Sequence, residues 1–369
     1  MSANRPLTSL LALLVLTLAA VGLVWTGVFV VAPRYSMPTL KLGLVAPLSG
    51  EPAAEGYRWV FAAKQAVAAW NSTAPLAFQM ELVVHDEGDG VAAARRLVAD
   101  PQVVGVIGHW RPDAAADSWP VYAAAGLPVL ALNYGGCDPA GAAPVLCMAP
   151  TRDELATAAT SYLIKQAGAS ASVALVAGPD IGDLAVAEAV RAAATRAGLR
   201  VVRAEAALPY ATAFADVARR LATEPYDALV FTGSLAASQA FERDLRPLGS
   251  TLRLYLPHRG GLEAPGAPAG GWLSPFAEPN TQAYAAFRTA FSEAWGQPSS
   301  LQAAAVYDGA RILLDALQRV PGDGRPGRTH MAGALRRFAG FQGVLGDYTL
   351  NGQRLLAGAG PGVRTRVGG

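Results

Sequence analysis

The sequence predicts an α/β protein of two lobes, each built on a parallel sheet flanked by helices. Three observations carry that prediction. Short apolar runs alternate with helix-length segments whose apolar residues recur at three- and four-residue steps. The alternation delivers four strands and then restarts near Ser172 as a second series of similar size. The length, 369 residues, exceeds one ordinary core and suits two domains with an additional segment.

The additional segment comes first. From Leu10 to Ala32 the chain carries no charged residue, which is longer than the roughly 20 residues a bilayer-crossing helix needs. Trp25 lies toward its far end, where an interfacial anchor belongs. A cleaved signal needs a shorter apolar core and a small-x-small site, and the run continues past both weak sites, at 17–19 and 20–22. Residues 1–36 are therefore expected to be a membrane anchor or signal segment, with the uncleaved transmembrane helix preferred. Arg5 precedes the span while Arg34 and Lys41 follow it, so charge alone does not orient it. The long folded part is placed outside because long domains translocate largely regardless of flanking charge.

The folded part begins with LKLGLVAPLSG, a strand over Leu40 to Val45 and a turn. Gly56 to Trp70 has helical spacing at Val60, Ala63, Val67 and Trp70. Phe78 to Val84 is the next strand, followed by HDEGDG and a helix. The acidic residues of that turn, Asp86, Glu87 and Asp89, lack the spacing of a calcium loop and fit helix capping better. Then VVGVIGHWRPDAAADSWPVYAAAGLPVLALNY reads as strand, turn, helix, strand, a parallel βαβ unit. The turns after its two strands are His109 to Asp113 and Asn133 to Gly136. Such turns lie at the carboxyl ends of strands, where open α/β sheets bind ligands.

Beyond it, TRDELATAATSYLIKQAG is a helix started by Thr151 or Asp153 and closed by Gly168. The second series follows: SVALVAGPDIG, DLAVAEAVRAAATRAG, LRVVRAEAAL, FADVARRLATEP, YDALVFTGS, LAASQAFERDLRPLG and TLRLYLPHRGG alternate strand and helix. Gly260 to Pro279 is rich in Gly, Pro and Ala and reads as a loop or crossover. Two long helices and a shorter one, His330 to Ala339, come next. FQGVLGDYTLNGQR reads as a hairpin turning at Asn351-Gly352. The tail from Ala357 is expected to fray.

Several function classes are excluded by what the chain contains. A net charge of +2, with no dense Lys/Arg run interleaved with aromatics, excludes a nucleic-acid surface. The sequence lacks G-x-S-x-G, H-E-x-x-H and the phosphate-binding G-x-x-x-x-G-K-[ST]. Its four histidines show no ligand spacing, so neither an enzyme nor a metal or other cofactor is expected. The two cysteines, Cys137 and Cys147, lack metal spacing; a disulfide in an oxidising compartment and two free thiols are both compatible with them.

The collinear series KLGLVAPLSG, ELVVHDEGDGVAAARRLV, VGVIGHW, AAAGLPVLAL, AVYDGARILLDAL and FQGVLGDYTLNGQ resembles the periplasmic solute-binding proteins of type I fold. It is similar to their branched-chain amino-acid (leucine/isoleucine/valine) binding members. The resemblance covers about Leu40 to Arg354. It implies two Rossmann-like lobes joined by a three-stranded hinge and closing on a solute. Lobe 1 would be 40–150 plus 271–339, lobe 2 would be 151–270 plus 340–360, and 361–369 a flexible tail. It implies an extracytoplasmic solute-binding component of an ABC importer, whose partners are a small-molecule ligand and an ABC permease. The alternative is a membrane-tethered sensory or accessory module with a degenerate cleft.

In amino-acid binders of this family, hydroxyls and backbone amides after strands three and four hold the solute's carboxylate, and an acidic residue of lobe 2 holds its ammonium. The matching positions depart from that pattern. Arg111-Pro112-Asp113 replaces a serine-rich turn, and Asn133-Tyr134-Gly135-Gly136 replaces a turn of small residues and Thr. Pro257-His258-Arg259 stands where the acid belongs, and aromatics expected near Ile181 and Leu235 are absent. The ligand-binding set expected by position is Glu55, Arg111, Asp113, Asn133, Tyr134, Gly135, Ile181, Leu235, His258 and Arg259. Arg111, His258 and Arg259 would face an anion.

Overall fold

Runs of Val, Leu, Ile and Ala make the central strands. The computed structural model describes residues 14–21, 38–50, 52–73, 78–133, 145–245, 252–256, 266–320, 326–352, 354–357 and 360–366, the side chains of Pro112, Asp113, Ile181, Leu356 and Ala357 excepted. The first five strands are β1 (Thr39–Ala46), β2 (Gln79–Asp86), β3 (Val103–Ile107), β4 (Val129–Ala131) and β5 (Val145–Cys147). They pair in parallel in the order β5-β4-β3-β1-β2. Every residue of β3 and β4 is buried, as expected of strands covered on both faces. Helices α1 (Ala53–Thr73), α2 (Gly90–Ala99) and α3 (Pro112–Ala124) connect them.

The second series repeats the plan. Helix α4 (Arg152–Ala167) leads to β6 (Ser172–Ala177), α5 (Ile181–Arg196), β7 (Arg200–Ala206), α6 (Ala215–Leu221), β8 (Ala228–Thr232), α7 (Leu235–Leu245) and β9 (Leu252–Leu256). The expected loop after β9 contains a further strand, β10 (Gly270–Ser274), parallel to β9. Strands β6 and β8 are buried throughout and form the middle of this sheet.

The chain then returns to the first lobe through α8 (Gln282–Trp295), α9 (Leu301–Gln318) and α10 (Arg328–Arg336). The apolar side of α9, including Ile312, Leu313 and Leu317, is buried with Trp59, Ala63 and Val67 of α1 in one core. Arg328 fastens α10 to the floor of the first sheet by donating to the carbonyls of Val98, Asp100 and Val103 at 2.9, 2.7 and 3.0 Å.

The hairpin after α10 corrects the expected lobe boundaries. Strands β11 (Phe341–Gly343), β12 (Gly346–Asn351) and β13 (Arg354–Ala357) extend the first sheet, where β13 pairs with β5 through Arg354 and Cys147. The hairpin was expected in lobe 2. What holds it is Asp308 of α9, fully buried, whose carboxylate accepts the Val344 and Leu345 N–H groups at 2.8 and 3.0 Å and the Tyr348 hydroxyl at 3.1 Å. Within the expected tail, Gly362–Arg366 form β14, antiparallel to β10 in the second sheet. The described elements thus cross between sheets three times, near 148–151, 275–281 and 358–361.

Of the apolar N-terminal segment only 14–21 falls within the described residues, as exposed helix. Among the described residues no helix is long and apolar enough to cross a membrane. The remainder of the expected span lies outside them.

Candidate functional site

In the first sheet the chain leaves β1 toward β2 on one side and toward β3, β4 and β5 on the other. The carboxyl ends of β1 and β3 are therefore a topological switch point, the usual ligand position in such sheets. Two glycines allow close backbone packing here. Gly108, with φ +129°, ends β3 so close to β1 that a Cβ would run into the Val45 carbonyl oxygen. Gly56 of α1 lies equally close to the Pro47 carbonyl oxygen.

The acidic turn after β2 ties these loops together. Asp86 accepts the Leu48 N–H at 2.8 Å and so holds the turn after β1. Burial works to raise the Asp86 carboxyl, but hydrogen bonds from Ser49 and backbone amides outweigh it and keep the group below the usual range. Asp89 caps α2 through the Ala92 N–H at 2.9 Å. Glu87, only 2% exposed, reaches across to the turn after β3. Its Oε1 accepts the N–H groups of Trp110 and Arg111 at 2.8 and 2.9 Å and lies 3.5 Å from His109 Nδ1. His109 Nε2 in turn meets the Tyr122 hydroxyl at 3.0 Å, and burial, with the nearby Glu87, pushes that phenol up.

Polar atoms without partners gather here. Glu87 Oε2, His109 Nδ1, Trp110 Nε1 and both side-chain atoms of Asn133 are buried and unbonded. Asn133 is wholly buried just beyond β4. Buried polar atoms are seldom left unpaired, so this cluster at the carboxyl ends of β2, β3 and β4 is the chemical signature of the site. It holds both donors and acceptors, as recognition of a small polar molecule requires.

Residues 39–356 match the profile of a family described as periplasmic binding protein. The chain belongs to the periplasmic binding protein family. Its fold is shared with solute-binding proteins of known structure. The substrate-binding protein LivJ of Streptococcus pneumoniae, solved with isoleucine, superposes with a TM-score of 0.77 at 18% identity, over 89% of this chain and 96% of that one. The leucine-binding protein LivK of Thermotoga maritima gives 0.73 at 17% identity, over 85% and 92%. A Rhodopseudomonas palustris solute-binding protein solved with 4-hydroxybenzoate gives 0.76 at 17% identity, over 89% and 92%. No curated protein sequence matches the chain significantly.

Against this periplasmic-binding-protein frame, the residues expected at the site fall into four groups. Arg111 and Asn133 follow β3 and β4 at the switch point; Arg111 is half-buried and is the N-cap position of α3. Ile181 and Leu235 open the helices after β6 and β8, the strands flanking the matching switch point of the second sheet. Glu55 is buried and its carboxylate is engaged within lobe 1. It accepts from Trp59 Nε1 at 3.2 Å, from Arg58 at 3.1 Å and from the hydroxyl of Ser300, the N-cap of α9. The Trp59 ring then packs on Trp110, centroids 5.3 Å apart. Tyr134, Gly135, His258, Arg259 and Cys137 lie outside the described residues, as does the side chain of Asp113. Cys147 is disulfide-bonded.

Glu87 and Trp110 were missed as site residues. The acidic turn was visible in the sequence, but its target 23 residues along the chain was not. Among the described residues no group of three or more His, Cys, Asp or Glu is placed to hold a metal. A groove of about 610 Å³ also lies between α1, α8, α9 and β11, walled by Trp70, Phe287, Tyr307 and Phe341. None of the expected ligand residues lines it.

Proposed function

We propose that this chain is an extracytoplasmic solute-binding component of an ABC importer, holding a small polar solute between two lobes that close like a hinge. The observation that carries this reading is the cluster of unpaired buried polar atoms on Glu87, His109, Trp110 and Asn133 at a topological switch point. Membership of the family and the three crossings between sheets support it. Relatives of the same fold are solved with isoleucine and with 4-hydroxybenzoate, so the fold accommodates small polar solutes of several kinds. The uncharged run from Leu10 to Ala32 supports an N-terminal anchor that keeps the lobes at the membrane beside a permease. A bond between Cys137 and Cys147, the chain's two cysteines, fits the oxidising side of that membrane.

A thermal-shift screen of the full chain over amino acids, amides, carboxylates and sugars tests the reading. A solute at one hundred times its Kd stabilises the folded state by about 2.7 kcal/mol. Stabilisation by at least one class is expected; a flat response to every class overturns transport. The second reading, a tethered sensory or accessory module, is favoured by one observation: Glu87 already fills two backbone donors at the switch point. That module would show the flat response.

A further inference from the structure

We infer that the groove between α1, α8, α9 and β11 is a second small-molecule site, which takes an aromatic carboxylate and holds its acid group on Arg311 of α9.

The groove stands apart from the switch point. Among the described residues, neither the expected ligand set nor Glu87, His109 or Trp110 borders it. Its volume, about 610 Å³, falls within the range of small-molecule pockets, roughly 300–1,000 Å³. Trp70, Phe287, Tyr307 and Phe341 wall it, and the rings of Phe287 and Tyr307 lie with centroids 4.9 Å apart. The flanking helices contribute alanines, Ala66 and Ala69 from α1 and Ala283 and Ala286 from α8. Side chains this short leave room between the helices for a ring system, which the aromatic walls contact by offset or edge-on packing.

Arg311 supplies the positive charge. It and Asp315 are the charged residues of the lining, and Asp315 already holds Arg319 Nη2 at 2.9 Å. The half-buried Arg311 guanidinium lies over the rings of Phe341 and Tyr307, 4.9 and 5.5 Å from their centres. Stacking of this kind fixes the guanidinium plane and leaves its N–H edge for a planar, bidentate partner. Asp308, one turn earlier, feels Arg311 electrostatically, but its carboxylate is taken by the Val344 and Leu345 N–H groups and the Tyr348 hydroxyl. Among the described residues Arg311 makes no ion pair or hydrogen bond. Partial burial of a charge is costly until an opposite charge meets it. The walls therefore suit an aromatic body, and Arg311 the carboxylate on it. A neutral ligand leaves the cation unpaired, and a cationic ligand meets like charge.

The probes are 2-naphthoate and its neutral counterpart 2-naphthamide, titrated calorimetrically into the full chain in detergent. The wild type is expected to bind the acid about tenfold tighter than the amide, the scale of one hydrogen-bonded charge contact. Arg311→Gln should weaken the acid by about tenfold and remove its advantage over the amide. Ala286→Trp fills the groove from an exposed position on α8 and should abolish binding of both probes. That second variant keeps the test open should Arg311→Gln not fold. A wild type that binds neither probe, or that does not favour the acid, overturns the inference. So does 2-naphthoate binding that neither variant weakens, because the acid then sits elsewhere, the site at the switch point included. The solute-binding reading stands or falls separately, on the thermal-shift screen.

Discussion

Arg354 Nη2 and Glu154 Oε2 lie 2.5 Å apart although 200 residues separate them in the chain. Arg354 belongs to β13 of the first sheet, and Glu154 to the first turn of α4, which packs on the second. The pair therefore ties the two lobes where the chain crosses between them. Glu154 also accepts the Thr151 N–H at 2.8 Å, completing a capping box. Burial acts to raise its carboxyl, but the Arg354 and Thr151 hydrogen bonds prevail and hold it below the usual range. Both side chains are partly exposed, so the pair by itself contributes about 0.5–1 kcal/mol. Arg354→Met should cost that much. Glu154→Ala should cost about 1 kcal/mol more, because the cap is lost as well. Urea midpoints in a double-mutant cycle measure the coupling, and a coupling of zero denies the link between lobes.

Asp308 makes stability depend on pH. Burial pushes its carboxyl up to about 6, against the pull of the Leu345 and Val344 amides, the Tyr348 hydroxyl and Arg311. A raised carboxyl binds its proton more tightly in the folded state than in the unfolded state. Its contribution is therefore full below about pH 4 and lost as the pH rises through about 6. The loss is on the order of 2–3 kcal/mol. Unfolding free energies at pH 4.5 and pH 7 should differ less for Asp308→Asn than for the wild type. Equal pH slopes would remove Asp308 as the source.

Gly56→Ala should disturb the turn after β1, since the added methyl meets the Pro47 carbonyl oxygen and the Leu48 side chain. Overpacking of this kind costs about 1–3 kcal/mol. A lower urea midpoint at unchanged slope is expected, together with weaker solute binding. Wild-type stability would mean that the turn yields without cost.

Cys147 is bonded at the end of β5, directly opposite Arg354 in the register. Cys147→Ser should lower stability by about 2–4 kcal/mol. Non-reducing peptide mapping should recover Cys137 linked to Cys147. Reduction without any drop in melting temperature would leave the bond no structural part.

For the anchor, N-terminal sequencing of mature protein should still find residues before Leu10. A start near Ala20 would identify a cleaved signal instead.

Local order was legible because it is written in neighbouring residues. Thr151 or Asp153 marked the start of α4 and Gly168 its end, and Thr151 is the N-cap, within hydrogen-bond reach along the chain. Asp89, read as a cap, does cap α2. Glu87 shows where that kind of reading stops. It shares the turn and the chemistry of Asp89, yet its partners are amides beyond another helix and strand. Glu55 was expected in the ligand-binding set from its position, but its bond to Ser300, 245 residues on, was not legible.

By itself, the sequence determined the alternation of strands and helices, the restart that makes two lobes, and the family. These follow from apolar periodicity and short-range caps, which each segment carries within itself. Only the tertiary structure decided that the hairpin at Phe341 to Ala357 joins the first sheet, that Gly362 to Arg366 pairs with β10, and that Glu87 braces the turn after β3. A hairpin or an edge strand satisfies its own pattern against any open sheet edge. The choice among edges falls to distant groups such as Asp308 and Tyr348, whose burial is stable only when they meet.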